Sequence, residues 1–367
     1  MTPGSSPLLS IAVVLPRGMR FSPNGATSID LCAADFVRHS RHAGRTRVIC
    51  AAVEAPFEGF DVQMVGTGSG RARRRTIAAA LDGFDPDVVV VHQHLPTAAA
   101  LARNRRWPVV LHTHNFAKPP GWALRRFYKN RQYRRLAGLV FVSQACLDGF
   151  DGNWGAIETP RVVVHNGLDI AAWTPAPMRE RRIALVGRAA PEKGVLEATQ
   201  ALADVLSRHP EWRATLALSA TAANPEYLRR VIELAARSDG AIEVETELPF
   251  SRVQTLYERA AIALVPSRYY EAFGRTALEA HAGGAALIST GSGGLREVSD
   301  DACLYASIDD PVAWATAIER LIVDDALRVS LSEAGRRRAE SCFDIRRTGE
   351  KLDAFYAATT AEWRASP

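Results

Sequence analysis

Short runs of β-branched and other apolar residues recur along the chain, each followed by a longer segment of helical periodicity. This alternation restricts the fold more than any other feature. In the first half the runs are "SIAVVLP", "TRVICAAV", "DVQMVG", "DVVVVHQ", "WPVVLHTH", "GLVFVS" and "RVVVHNG". Most are apolar at successive rather than alternate positions, so both faces must be covered. Strands of that kind, separated by helix-length segments, predict a parallel sheet with helices on either side. After "HNGLDIAAWTPAPMRERR", with its two prolines and mixed charge, the alternation restarts with "RIALVGR", "RATLALSA", "AIEVE", "AIALVPS" and "AALIST". With 367 residues and 47% apolar content, the chain can build two cores.

The expected organisation is therefore α/β, with two Rossmann-like domains joined near residues 172 to 180: 1–175, then 176–345. The early apolar stretch "LLSIAVVLP" has no basic lead-in and falls short of the roughly 20 residues of a membrane span, so it reads as the first strand. Five cysteines, scattered and never spaced C-x-x-C, suggest neither a disulfide framework nor a zinc site, and point to a reducing cytoplasm.

In such sheets, ligands bind beyond the carboxyl ends of the strands. Two domains of this type facing each other would enclose a cleft, and the loops after the strands carry the candidate residues. After "SIAVVLP" comes Asn24-Gly25-Ala26, where glycine lets backbone amides approach a ligand. The pairs His92/His94 and His112/His114 follow two later strands. No cysteine or acid is spaced to complete a metal site with them, so they are expected to donate hydrogen bonds to a phosphate or a sugar hydroxyl, with no metal. Asp85-Pro86-Asp87 precedes its strand, on the wrong side of the sheet for a ligand, and reads as a turn.

The second half opens with "RIALVGRAAPEKG", placing Arg188 at a strand end and Lys193 at a helix start. Two fixed cations there can neutralise a diphosphate leaving group. Later, "IALVPSRYYEAFGRTALEAHAGG" reads as strand, loop and helix. Glu271 falls in the loop beside the amides of Phe273, Gly274 and Arg275, and Glu279 falls in the helix. Eight helical residues span about 12 Å, comparable to the reach from a sugar ring across a diphosphate to a ribose.

The pieces "NGA", "LHTHN", "HNGLD", "LVGRAAPEKG", "PSRYYEAFGRTALEA" and "STGSGGLREV", in this order, make the chain resemble the retaining glycosyltransferases of family 4, with the GT-B fold. The resemblance implies transfer of a sugar from a nucleoside-diphosphate sugar with its anomeric configuration kept, and no cofactor. It also implies that Arg188 and Lys193 bind the diphosphate and Glu279 the ribose, while Glu271 with the amides of Phe273, Gly274 and Arg275 holds the donor sugar. Gly25 would lie near the phosphates and His114 near the donor sugar. In this fold a final helix, 346–367, crosses back to the first domain.

Charge bears on the acceptor. Through Met178 there are 21 Lys+Arg against 12 Asp+Glu, and thereafter 24 against 28. The densest basic segment is "KPPGWALRRFYKNRQYRR", residues 118–135, where Trp122, Phe127, Tyr128 and Tyr133 interleave with seven basic side chains and no acid. It reads either as a surface for anionic lipid or phosphate, or as a solvated helix whose arginines snorkel around buried rings. The first reading gives a glycan or lipid-linked acceptor, as in lipopolysaccharide or exopolysaccharide assembly, and a cytoplasmic protein peripheral to the inner membrane face. A nucleotide-sugar-binding protein without turnover and a nucleotide-sugar epimerase remain alternatives. No nucleic-acid module is recognised, and nucleic acid is not expected as a partner.

Overall fold

The structure, a computed structural model, describes residues 7–23, 25–66, 68, 70–155, 157–220 and 224–365. The chain divides into two units, Met1–Gly167 with Ile345–Pro367, and Leu168–Asp344. The first break falls before the proline-containing linker because that linker is already tied to the second unit. The amide of Leu168 donates to the carbonyl of Phe343, and Gln254 donates to the carbonyl of Ala172.

Unit 1 contains strands β1 (Ile11–Val14), β2 (Thr46–Ala51), β3 (Asp61–Val65), β4 (Val88–His92), β5 (Val109–Thr113), β6 (Gly138–Phe141) and β7 (Arg161–Val163). They form one parallel sheet in the order β3-β2-β1-β4-β5-β6-β7. Val88 to Val91 are all buried, as four successive β-branched residues must be when helices cover both faces. The final helix, Ile345–Ala365, belongs to this unit, and its Ile345, Leu352 and Tyr356 share a core with Ile11, Val13 and Phe36. Asp353 anchors it, accepting from Ser40 Oγ at 2.7 Å and from the Arg41 amide at 2.9 Å. At its far end Arg364 reaches Asp87, whose other carboxylate oxygen takes the Ser10 amide. Asp87 is thus engaged in holding elements together at the amino end of β4.

Unit 2 contains β8 (Glu180–Arg188), β9 (Arg213–Ser219), β10 (Ile242–Thr246), β11 (Ala260–Val265), β12 (Ala286–Ser289) and β13 (Cys303–Tyr305). This sheet is also parallel, in the order β10-β9-β8-β11-β12-β13. Both units use the doubly wound order in which the chain reverses direction beside the first strand. The three-residue β13 is too short to show as an apolar run, and the sequence pattern missed it. Its core joins Leu185, Leu202, Leu216, Ile262, Leu264 and Trp314. Among the described residues, no helix is long and apolar enough to cross a membrane.

Candidate active site

In unit 2 the predicted residues collect where β8 and β11 run into their following loops. Arg188 ends β8, and the 3-10 turn Pro191–Lys193 closes on Gly194 at φ 63°. A Cβ at position 194 would stand 2.1 Å from the carbonyl oxygen of Pro266, so only glycine admits this approach. The close contact lets the amides of Arg268 and Tyr269 donate to the carbonyl of Glu192 at 2.9 and 3.0 Å. The turn after β8 and the loop after β11 are thereby fixed to each other.

That junction sets the central cluster. Lys193 Nζ donates to Glu271 Oε1, and the same oxygen accepts from Ser267 Oγ at 2.6 Å. The lysine and glutamate side chains are 23% and 17% exposed, so the pair is open to a ligand yet shielded from bulk screening. The backbone of Glu271 is held as well: it bridges Gly293, and the amide of Gly294 donates to its carbonyl at 2.7 Å. A Cβ on Gly293 would lie 2.3 Å from that carbonyl oxygen. Arg188 is more open, 54% exposed, and pairs with Glu192 at 3.2 Å.

The helix Arg275–Gly283 starts at Gly274, so its positive end lies close in sequence to Glu271. Glu271 itself precedes the helix. Only the last four steps from Glu271 to Glu279 are helical, so the 12 Å helical span does not describe this pair. Phe273 turns its ring into the core against Phe343, centroids 5.8 Å apart, and can offer a ligand its backbone alone. Arg275 Nε donates to Glu279 Oε1 at 2.8 Å, with side chains 10% and 6% exposed. Glu279 is therefore a buried carboxylate already matched by a cation. A pocket of about 430 Å³ opens beyond β11 to β13, lined by Ser267, Thr290, Ser292, Arg296 and Tyr305.

In unit 1, Gly25 turns at φ 76° ahead of the helix Ser28–His39, while Asn24 lies outside the described residues. The first turn of that helix carries the buried Asp30, which accepts from both the Thr27 amide and Thr27 Oγ1 at 2.8 Å. Burial raises its pKa above the ordinary carboxylate value, against the bonds from Thr27.

The histidines group differently from their spacing. His92 on β4 sits opposite His112 on β5, and the three rings of His92, His112 and His114 lie 4.6 to 5.0 Å apart by centroid. His92 Nδ1 and His114 Nε2 are 2.8 Å apart, one donating and the other accepting. His94 leaves this group for the N-cap position of the helix Leu95–Leu101, where its Nδ1 lies 2.8 Å from Thr97 Oγ1. Burial lowers the pKa of all three clustered rings, His92 to about 3, and they are neutral near pH 7. Gln93, left-handed at φ 58°, orients the last of them by accepting the His114 amide at 2.6 Å.

Ser267, Glu192 and Gln93 are contacts that the sequence reading missed. Ser267 had a readable signal, since it stands four residues before Glu271 at a strand end. Glu192 acts largely through its carbonyl, and Gln93 through a cross-strand contact, which residue type and spacing do not encode.

Two parallel Rossmann-like units in succession are the architecture of the GT-B fold. Solved structures agree. The chain is similar to sucrose-phosphate synthase from Thermosynechococcus elongatus, with TM-score 0.79 and 16% identity, over 96% of this chain and 100% of that one. It is equally similar to Anabaena HepE in complex with UDP and glucose, with TM-score 0.79 and 17% identity, over 95% and 100%.

Sequence comparison gives the family. The model described as "Glycosyl transferases group 1" matches residues 170–338, and the model "Glycosyltransferase Family 4" matches residues 39–172. The chain belongs to the group 1, family 4 glycosyltransferases. Among curated relatives it is 31% identical to a glycogen synthase of Mycobacterium tuberculosis, over 71% of this chain and 66% of the relative. It is 30% identical to a D-inositol 3-phosphate glycosyltransferase of Corynebacterium jeikeium, over 58% and 54%. The chain thus spans between about half and two thirds of the length of these relatives.

Proposed function

We propose that this chain is a retaining glycosyltransferase that moves a sugar from a nucleoside-diphosphate sugar to a glycan or lipid-linked acceptor. The observation that carries the reading is the Lys193–Glu271–Ser267 cluster, held at the strand ends by glycine contacts to Pro266 and Glu271. Lys193 and Arg188 take the diphosphate as a fixed pair of cations, which lowers the barrier most where negative charge grows on the leaving oxygen. Glu271, released from Lys193 by the incoming phosphate, holds donor hydroxyls together with the first amides of the helix Arg275–Gly283. Glu279, already oriented by Arg275, is the acceptor for ribose hydroxyls. Gly25 and His114 lie in unit 1, and the reading does not depend on them.

In the reaction the bond from the anomeric carbon to the β-phosphate oxygen breaks. The acceptor oxygen bonds to that carbon on the same face, and its proton passes to the departing phosphate. No protein nucleophile and no metal is required in this scheme. The HepE structure holds UDP and glucose, which makes uridine the first base to test.

The acceptor side is read from residues 118–135. The helix Ala123–Tyr133 leaves Trp122 (65%), Phe127 (62%) and Tyr128 (59%) exposed, and only Tyr133 is buried. Three of the four rings therefore do not serve as a buried strip for snorkelling arginines. Exposed rings among Arg125, Arg126, Lys129 and Arg131 suit an anionic lipid surface, to which rings and cations bind together. This supports a lipid-linked acceptor and a position at the inner face of the cell membrane.

The deciding experiment is a thermal-shift series with UDP, GDP, ADP and CMP on the wild type and on Lys193→Ala, followed by transfer assays with the base that binds. A ligand selective for the folded state raises Tm. A rise with one diphosphate that is lost in the variant supports the reading, and donor turnover without acceptor would point to the epimerase. No shift with any nucleotide removes it.

A further inference from the structure

The three-histidine cluster of unit 1 has properties that donor binding leaves unexplained. His112 is fully buried, and among the described residues neither of its ring nitrogens has a hydrogen-bond partner. Buried polar nitrogens are almost always satisfied, so two on one side chain call for a missing partner. One nitrogen from each of His92, His112 and His114 can be chosen so that all lie within 4.8 Å of one another. His92 and His112 are paired on β4 and β5, and His114, one residue past β5, is held through its amide by Gln93.

We propose that His92, His112 and His114 form a buried site for a first-row divalent transition metal of zinc's class. Three imidazole nitrogens around a tetrahedral ion at about 2.0–2.1 Å would stand about 3.4 Å apart. The rings lie nearly parallel, at 17° to 35° to one another, so binding the ion would turn them until their lone pairs converge and part the His92 and His114 nitrogens from 2.8 Å. Neutral nitrogen donors without a thiolate suit zinc, cobalt, nickel or copper rather than magnesium or calcium. The burial that keeps these rings neutral also keeps their lone pairs available.

A small cavity adjoins two of the three rings. A cavity of about 20 Å³ is lined by His92, His112, Ser40, Thr46, Asp353 and Tyr356, enough for about one water. Asp353, held by Ser40 and Arg41, lines the same cavity. The ion would bind His114 through Nε2, leaving Nδ1 to carry the ring proton. It takes no part in neutralising the diphosphate, so its presence is read by metal content and stability rather than by turnover.

The test uses the full chain without a histidine tag. Metal content is measured by mass spectrometry after dialysis, then the metal-stripped protein is titrated with Co²⁺ while its visible absorption and Tm are followed. The expectation is about one equivalent of bound metal, a cobalt spectrum with nitrogen ligation and a raised Tm, all lost in folded His112→Gln. If that variant does not fold, His92→Gln serves the same comparison. Wild-type protein that binds neither Zn²⁺ nor Co²⁺ stoichiometrically, or a variant that binds as well as the wild type, overturns the site. Because the nucleotide series reads a different unit, the proposed function and this site fail independently.

Discussion

Ser267 Oγ donates to Glu271 Oε1 across 2.6 Å, and Lys193 Nζ donates to the same oxygen. One carboxylate oxygen thus joins the end of β11 to the turn after β8.

Removing the cation should cost far more than removing the hydroxyl. Lys193→Ala is expected to lower kcat/KM for the donor about 10²–10³-fold, the range for losing one electrostatic stabiliser of a growing charge. Ser267→Ala deletes a neutral donor and should cost about tenfold. Steady-state kinetics on both variants check this, and equal losses would mean that the cluster acts through structure alone.

The glycine contact that seats this cluster predicts a stability effect. Gly194→Ala places a methyl 2.1 Å from the Pro266 oxygen at a left-handed φ, and should lower stability by about 2–4 kcal/mol. Gly240→Ala, also at positive φ but with nothing within 4 Å, should cost only about 1 kcal/mol. Denaturant midpoints compare the two. Similar losses would leave backbone strain as the whole effect and remove the close approach.

Acid should destabilise unit 2 through His281. Its ring is 1% exposed, lies against Ser299 Oγ at 3.0 Å, and burial pushes its pKa down to about 3 from the ordinary 6.5. The unfolded chain therefore binds a proton that the folded state refuses between those values. Stability is fully present above about pH 6.5 and falls as pH drops toward 3, with a slope of up to about 1.4 kcal/mol per pH unit for one such group. The buried rings of unit 1 act in the same direction. Melting curves of His281→Gln against wild type should show a shallower fall in that window, and parallel curves would discard the assignment.

Exposed rings and cations on the helix Ala123–Tyr133 predict lipid binding. In a flotation assay the protein should rise with anionic vesicles and stay behind with neutral ones, and salt should weaken the binding. The triple variant with Arg125, Arg126 and Arg131 changed to Ala should lose it. Equal flotation with both vesicle types, unaltered in the variant, would refute the membrane reading.

Turnover should persist in EDTA, because in the proposed reaction Lys193 and Arg188 supply the positive charge on the diphosphate that a divalent ion can otherwise supply. The contrary result would be a loss of turnover that Mg²⁺ restores.

The sequence by itself determined the succession of elements. Runs such as Val88 to Val91 are apolar at every position, a pattern that a strand covered on both faces satisfies, so twelve of the thirteen strands among the described residues and the two-unit division were legible. The cluster of Glu271 with Lys193 was foreseeable only in part: both stand after strands, and ligand-facing loops of this fold lie there. Which side chains meet was decided by tertiary structure. His92 joined His112 and His114 rather than its own neighbour His94, because the register of β4 on β5 sets them opposite while the chain turns away after Gln93. Glu279 met Arg275 inside a helix, and Trp122, Phe127 and Tyr128 stayed exposed where their residue types alone allowed burial. The physical reason is common to these cases. Periodicity records whether a face is buried, which is a local property, whereas register and close approach record which distant segment buries it, and that is settled only when the whole core packs.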